Sequence, residues 1–448
     1  MPWLLTALLL LWPAAYNGAP LIFADTLDFP AMMLDPDTRH FRSRGYGILA
    51  GLLSLAMHSF WPVIVAQAAL TAWLVHTTLT ALLPALDRRG HRLAGSALAL
   101  TTAPWAASYV MPDALTAPGL LALFLLLSGR VGWRIAALSG LIVAIAAATH
   151  VTHALIMGCA LAAVLVLRLV PLRRAALGLA CIAAGYGAVL GANRVLTGHA
   201  EYVRGGEVFL AARFAGDGLL HRYLDAQCPD ARLPMLCAAR AELPRHADDF
   251  LWLGASPLRP DGDFFAASDE LRIANRAIMV AFWPEWLRLS LARAAHQSVL
   301  TQAGDGLEQA LMVDLVPRVA NTLGSAAAAL HAASRQARVE MSEDPLALAA
   351  APAGLVGLLL APWLLLRRRE PGVRLLLALV LAAFAATALA VGAGGSVHAR
   401  YTARIVWLLP FGAMVALLHG RFGAPISVTS ERETPPESGR AATHARFP

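Results

Sequence analysis

Long apolar stretches, separated by short polar loops, run through most of this chain. A helix that crosses a bilayer needs about 20 predominantly apolar residues. The stretches near that length predict ten membrane spans, which leave both chain ends on the same side. The predicted spans are residues 3–23, 63–83, 93–110, 111–128, 135–149, 152–167, 175–196, 346–366, 373–391 and 405–418. The pattern therefore predicts an all-α polytopic membrane protein with about ten transmembrane helices.

The composition agrees with a membrane protein. Only 15% of the residues are charged, whereas soluble domains average about 25%. Hydrophobic residues make up 58% of the chain, and the mean hydropathy is +0.59. The formal net charge of +7 comes entirely from arginine, because the chain contains no lysine. We attribute this arginine usage to coding bias and expect no nucleic-acid partner.

Short arginine-rich loops predict which side of the membrane each span faces. The clusters are Arg88, Arg89 and Arg92; Arg130 and Arg134; Arg168, Arg173 and Arg174; and Arg367, Arg368, Arg369 and Arg374. Loops of this kind stay in the cytoplasm, so residues 24–61 become the first external loop. The apolar segment 46–58 within that loop is too short to cross the membrane. It predicts a juxtamembrane helix.

The same pattern divides the chain into four parts. These are an N-terminal transmembrane module (1–197), an external domain (198–345), C-terminal transmembrane helices (346–419) and a disordered cytoplasmic tail (420–448). The external segment holds nineteen of the twenty-nine acidic residues and is long enough for a small domain of mixed or mainly helical structure. Its aromatic stretch at 278–291 fits a helix at the level of the lipid headgroups or packing inside the domain.

Two of the four cysteines, Cys228 and Cys237, lie in the predicted external domain. Disulfides form on the outer side of a bacterial inner membrane, so the topology predicts that these two cysteines pair. The alternative is two buried free thiols.

The predicted topology brings polar residues from distant segments to one face of the membrane. They are Asp25, Asp28, Arg42 and Tyr46 in the first external loop, Asp113 and the pair His150 and His153 at two later hairpins, and Arg400, Tyr401 and Arg404 before the last span. Ionisable residues at the edge of a span are costly, and they are functional candidates by default.

These residue types suit one kind of chemistry. A partly desolvated carboxylate can act as a general base on an acceptor hydroxyl, and arginine can hold a phosphate bidentately. Together they favour sugar transfer from a polyprenyl-phosphate carrier to a glycan, lipid or protein acceptor. Asp25 is the predicted base and Asp113 a second catalytic acid. The predicted substrate-binding residues are Asp28, Arg42, Tyr46, His150, His153, Arg400, Tyr401 and Arg404.

Several short motifs resemble those of the GT-C superfamily of polyprenyl-phosphate-sugar glycosyltransferases, which includes aminoarabinose transferases and protein O-mannosyltransferases. They are Gly18-Ala19-Pro20 through Asp25, Arg42 to Tyr46 before a short apolar helix, Pro112-Asp113, and Arg400-Tyr401. The resemblance covers mainly residues 1–195 and, more weakly, the last two spans. It implies a catalytic acid at Asp25, a multi-pass fold and an active site on the periplasmic side of the bacterial inner membrane.

Each candidate also has a structural interpretation. Asp25, Asp28 and Asp113 are suited to helix caps or turns, and span-end arginines such as Arg400 and Arg404 can reach lipid headgroups.

Two other functions fit the same topology. An O-antigen ligase or polymerase would instead depend on an external arginine and histidine. A lipid-linked glycan transporter or flippase would show broken or charged helices near the midplane.

A metal is not required by the pattern. His150 and His153 could share a helical face, but two histidines without a third ligand are a weak signal for a metal site. A divalent cation, Mg²⁺ or Mn²⁺, could bridge Asp25 to a lipid phosphate.

Overall fold

A computed structural model describes residues 2–34, 42–252, 258–259, 263, 265–308, 314–341 and 345–423. All regular secondary structure in these ranges is helical, apart from one isolated bridge between Leu21 and Tyr109. The predicted cytoplasmic tail lies outside the described residues beyond Gly423, and its first residues belong to the last helix, which runs to Phe422.

The N-terminal part, residues 2–197, contains eleven α-helices in the order of the chain. They are α1 (Pro2–Leu10), α2 (Trp12–Asn17), α3 (Asp28–Leu34), α4 (Arg44–Leu55), α5 (Trp61–Leu82), α6 (Arg88–Ala97), α7 (Ala103–Ser108), α8 (Thr116–Ser128), α9 (Trp133–Thr149), α10 (Val151–Val166) and α11 (Leu172–Thr197). Short 3₁₀ turns lie at Ala24–Leu27, Leu98–Leu100 and Pro112–Leu115. Helix α4 occupies the segment where a juxtamembrane helix was predicted.

The described residues from 198 onward form twelve further helices. They are α12 (Gly206–Gly216), α13 (Leu219–Gln227), α14 (Pro234–Ala239), α15 (Ala247–Trp252), α16 (Ser268–Val299), α17 (Leu315–Leu323), α18 (Ser325–Ala332), α19 (Pro345–Leu348), α20 (Ala351–Arg367), α21 (Pro371–Gly394), α22 (Ala399–Val406) and α23 (Leu408–Phe422). The segment predicted as an external domain is therefore mainly helical.

Five helical stretches are long and apolar enough to cross a membrane. They are Trp61–Leu82, Leu172–Thr197, Pro345–Arg367, Pro371–Gly394 and Ala399–Phe422. Shorter apolar helices lie at Pro112–Ser128, Trp133–Thr149 and Val151–Val166. A multi-pass helical architecture follows from these lengths. The count of ten spans stays a prediction.

Two of the predicted spans are not single straight helices. Residues 93–110 are divided between α6 and α7, because Thr101 adopts an extended backbone and Pro104 lies in the first turn of α7. The first predicted span is helical only to Asn17, where Gly18 takes a left-handed conformation with φ +83° that ends the helix. Residues beyond Gly18 are then free to run in an extended conformation beside Tyr109.

Helix α8 lies at the centre of the membrane bundle. Every residue from Thr116 to Leu127 is buried, as expected for a helix that is apolar on all sides. Small residues bring the surrounding helices close together: a Cβ on Gly185 of α11 would lie 1.9 Å from the Ala144 oxygen of α9. Close approach of this kind is a common source of packing between membrane helices.

The segment 198–345 does not pack as one unit. Helices α12 to α16 share a core that includes Phe214, Leu236 and Phe250, and the Cys228–Cys237 disulfide joins the end of α13 to α14. Helices α17 and α18 instead share a core with residues of the predicted first external loop, such as Leu27 and Phe29. That core joins α17 and α18 to the N-terminal module.

Candidate active site

Helix α22 carries the two arginines of the last predicted external loop, and Arg404 is the more deeply buried. Its Nη1 donates to Asp113 Oδ1 at 2.8 Å, and its Nη2 lies 3.4 Å from Thr152 Oγ1. The Arg404 side chain is 3% exposed. The 3₁₀ turn before α8 and the start of α10 therefore converge on one guanidinium group.

Arg400 lies one helical turn away, between aromatic rings. Its guanidinium carbon is 4.1 Å from the centre of the Phe23 ring and 4.9 Å from that of Tyr401. Its Nη2 donates to the Tyr401 hydroxyl at 3.0 Å, and its backbone N–H donates to Asp305 Oδ2 at 3.1 Å. Asp305 thus holds the N-terminus of α22, and with it Arg400, in position.

Both arginines line a small cleft with a volume of about 40 Å³. Its lining residues are Phe23, Trp105, Ala106, Tyr109, Met111, Asp113, Ala303, Gly304, Asp305, Arg400, Ala403 and Arg404. In the part of the chain that the structure describes, three N–H groups of these residues have no acceptor: Trp105 Nε1, Arg400 Nε and Arg404 Nε. Buried donors of this kind are normally satisfied, and two of the three belong to the guanidinium groups of Arg400 and Arg404.

The predicted base, Asp25, forms an ion pair with Arg42. Arg42 also lies 3.8 Å from Asp28, which receives a 3.0 Å hydrogen bond from Arg318. Arg318 in turn donates to the Ala24 carbonyl at 3.0 Å. Asp25 and Asp28 are therefore held by two arginines, one of them contributed by α17.

His150 and His153 lie behind Arg404 and make separate hydrogen bonds. His150 Nδ1 accepts from the Thr152 backbone N–H at 3.2 Å. Burial lowers the pKa of His150 to about 4; Asp113 opposes this shift, whereas Arg404, Arg42 and Arg400 strengthen it. His150 is therefore neutral at physiological pH.

Both ring nitrogens of His153 make hydrogen bonds to neighbouring residues. Nδ1 lies 3.0 Å from the Ala146 carbonyl, which can only accept, so Nε2 accepts from the Thr116 hydroxyl at 2.7 Å. Within the described ranges, no group of three His, Cys, Asp or Glu residues is arranged to hold a metal. His150 is linked to Arg404 through the Thr152 hydroxyl, whereas the hydrogen bonds of His153 are with other residues of the bundle.

Tyr46 is not among the residues that line the cleft. It is 1% exposed, its hydroxyl donates to Gln67 Oε1 at 2.7 Å, and its ring meets Phe29 edge to face. Gln67 in turn donates to the Tyr109 carbonyl at 2.8 Å. Tyr46 therefore anchors α4 to the bundle, and its role in substrate binding stays a prediction.

Two acids that hold α22 in place, Asp248 and Asp305, were not predicted from the sequence. His398 lies between Asp248, at 3.6 Å, and Asp305, at 3.7 Å. These carboxylates, Asp248 first, raise the pKa of His398 to about 10, so it is protonated at physiological pH. Asp248 and Asp305 lie far from His398 in the sequence. The only sequence signal for their role is that they belong to the acid-rich segment 198–345.

Trp105 was also missed. It follows Pro104 at the start of α7 and appeared to be one more apolar residue of a continuous span. The interruption before α7 turns this indole toward the cleft.

Comparison of the chain with protein-family models, with curated proteins and with solved structures finds no match in any of the three.

Proposed function

We propose that this protein is an integral-membrane glycosyltransferase similar in plan to the GT-C superfamily. It transfers a sugar from a polyprenyl-phosphate carrier to a glycan, lipid or protein acceptor on the periplasmic side of the bacterial inner membrane. The observation that carries the proposal is the pair formed by the buried Arg404 and the partly buried Arg400, side by side in a cleft with aromatic walls. Two guanidinium groups with N–H donors to spare suit a phosphate, and the apolar surroundings suit a lipid carrier.

Arg400 supplies the positive charge for the phosphate. Arg404 is already neutralised by Asp113 and Arg42 by Asp25, whereas the side-chain contacts of Arg400 are with Tyr401 and Phe23. A cation held between aromatic rings has lost much of its hydration, so an entering phosphate recovers electrostatic energy there. Asp113 then serves to position Arg404.

In the proposed reaction the acceptor hydroxyl attacks the anomeric carbon of the carrier-bound sugar. Asp25 takes the hydroxyl proton as the new C–O bond forms, and the bond from the anomeric carbon to the phosphate oxygen breaks. The carrier phosphate leaves with the bonding electron pair, and Arg400 and Arg404 stabilise its charge. Arg42, the ion-pair partner of Asp25, fixes the position of this carboxylate.

The proposal is tested in cells that lack the protein and carry either the wild-type chain or Asp25→Asn. We expect the deletion to accumulate a sugar-loaded polyprenyl phosphate in a lipid-linked glycan profile. Wild type should clear that lipid and Asp25→Asn should not. Asp230→Asn is the matched control, since Asp230 pairs only with its exposed neighbour Arg232 among the contacts described. Full clearance by Asp25→Asn would end the assignment of Asp25 as the base.

Two observations favour other classes and define the contrasting results. His398 beside Arg400 suits a ligase or polymerase of lipid-linked glycans, in which Asp25→Asn would remain active and His398→Ala would not. The interruption between α6 and α7, with the Thr102 hydroxyl donating to Ala403 O at 2.6 Å, suits a transporter with broken helices. If the protein were a transporter, the sugar-loaded polyprenyl phosphate would accumulate on the cytoplasmic side of the membrane in cells that lack the protein.

A further inference from the structure

Helix α16 changes character along its length. It spans Ser268–Val299, with a kink at Phe282 two residues before Pro284. The exposed positions of its N-terminal part are mostly charged: Asp269, Arg272 and Arg276, with Ile273 the exception. This first part packs into the core of α12 to α16 through Leu271 and Ile278. Such a pattern is ordinary for a helix on the surface of a water-exposed domain.

From Val280 to Val299 the exposed face is apolar instead. The exposed positions are Val280, Ala281, Trp283, Pro284, Leu287, Arg288, Leu291, Ala292, Ala295, His296 and Val299. Only Arg288 and His296 among them are polar. The five large hydrophobic side chains are 42–80% exposed. At 1.5 Å per residue this face is about 29 Å long, which exceeds the scattered apolar exposure of a water-soluble surface.

The opposite face of this half packs on the outer end of a predicted membrane span. A Cβ on Gly392 of α21 would lie 2.4 Å from the Ser290 oxygen and 2.8 Å from the Ala294 nitrogen. Trp286 Nε1 donates to the Ala393 carbonyl at 3.2 Å. Leu287 and Leu291 therefore lie level with the last turns of α21, where Leu389 is also exposed.

We propose that the exposed face of residues 280–299 contacts the lipid of the outer leaflet. The apolar face continues the lipid-facing surface of α21, and Trp283 and Arg288 are residue types that prefer the headgroup level. The segment 198–345 is thus a membrane-bound structure held by a half-embedded helix. Because α16 leads directly to Ala303, Gly304 and Asp305, the bilayer also fixes one wall of the cleft. This inference does not depend on the proposed enzyme activity.

Site-directed spin labelling tests the proposal in full-length protein. The free cysteines Cys159 and Cys181 are replaced by alanine, and a nitroxide is attached to Leu287→Cys or Leu291→Cys. The protein is reconstituted into vesicles of phosphatidylethanolamine and phosphatidylglycerol. We expect both labels to be more accessible to oxygen, which concentrates in lipid, than to a water-soluble nickel chelate. Ile273→Cys, on the N-terminal part of the same helix, is the matched control and should show the reverse order.

Two results would overturn the proposal. Greater access to the nickel chelate at positions 287 and 291 would place the face in water. Protection from both reagents would mean that protein covers it, either a second copy or another partner. An independent measurement uses the native tryptophan: brominated phospholipids should quench less of the total fluorescence in Trp283→Phe than in wild type, and an unchanged quenched fraction would contradict lipid contact.

Discussion

Arg404 Nη1 donates a hydrogen bond to Asp113 Oδ1 at 2.8 Å, between residues 291 positions apart in the chain. The pair joins α22 to the turn that precedes α8, and Arg404 is almost completely buried. A buried ion pair adds little net stability compared with apolar packing, but the loss of one partner leaves an uncompensated charge. The pair therefore fixes the relative position of two segments at the cleft.

Asp113→Ala should lower the free energy of unfolding by about 3–5 kcal/mol, because Arg404 would be left buried without its carboxylate. The double variant Asp113→Leu with Arg404→Met should be more stable than Asp113→Ala alone. Denaturation midpoints of the purified proteins in detergent provide the measurement. Equal losses in the single and double variants would show that the pair is not coupled in this way.

Arg400→Ala should weaken binding of a short-chain polyprenyl phosphate by at least about tenfold, since a hydrogen bond to a charged group contributes about 1.5–3 kcal/mol. Arg276→Ala removes the same charge from an exposed position of α16 and serves as the matched control. Titration of the protein in nanodiscs measures both affinities. Equal weakening by the two variants would indicate a general charge effect and not a phosphate site.

The His398 contacts predict a specific dependence on pH. The pKa of His398 is raised from 6.5 to about 10 by Asp248 and Asp305, so its contribution is fully present below pH 6.5. That contribution declines as the pH rises and is lost above about 10. The melting temperature of wild type should therefore exceed that of His398→Gln at neutral pH, and the two should converge above pH 10. A difference that grows with pH would contradict the ion pairs.

At acidic pH, the dependence of stability on pH involves Asp248. Its pKa is lowered to about 2, first by the neighbouring His398 and also by the hydrogen bond from Ser396, against the opposing effect of burial. Stability from this carboxylate is present above its ordinary pKa of 3.8 and is lost as the pH falls toward 2. At neutral pH, His398→Gln should therefore lower the melting temperature much less in the Asp248→Asn background than in wild type.

The disulfide joins Cys228 and Cys237, which are 9 positions apart in the sequence. A cross-link over such a short loop stabilises a fold by about 2–3 kcal/mol in the chain-entropy model. Cys228→Ser with Cys237→Ser should lower the unfolding midpoint accordingly, while thiol titration of the denatured, unreduced wild type should find only Cys159 and Cys181. Four reactive thiols in protein from the native membrane would contradict an external location.

Sequence patterns predicted the helical membrane architecture well where apolar runs are long and uninterrupted. Helices α5 and α21 begin and end within a few residues of the predicted spans, and α4 was expected from a run too short to cross. The interruption at Thr101 was not predicted, because the residues on both sides are apolar and hydropathy does not report backbone conformation.

The candidate site was predicted by residue type and topology, not by pairing. Placing Asp113 and Arg404 at the same face required only the order of the spans. Their mutual hydrogen bond, and the location of Tyr46 in the core, depend on side-chain packing that no local pattern encodes. The role of Asp305 was equally inaccessible, since it contacts the N-terminus of α22 from 95 residues earlier.

The most direct test of the account is a single-turnover assay of purified protein in nanodiscs with a sugar-loaded polyprenyl phosphate and an acceptor extract. Wild type should release free polyprenyl phosphate only when the acceptor is present. Asp25→Asn should bind the loaded carrier with unchanged affinity and release none of it. Release of polyprenyl phosphate by Asp25→Asn at the wild-type rate would contradict the proposed mechanism.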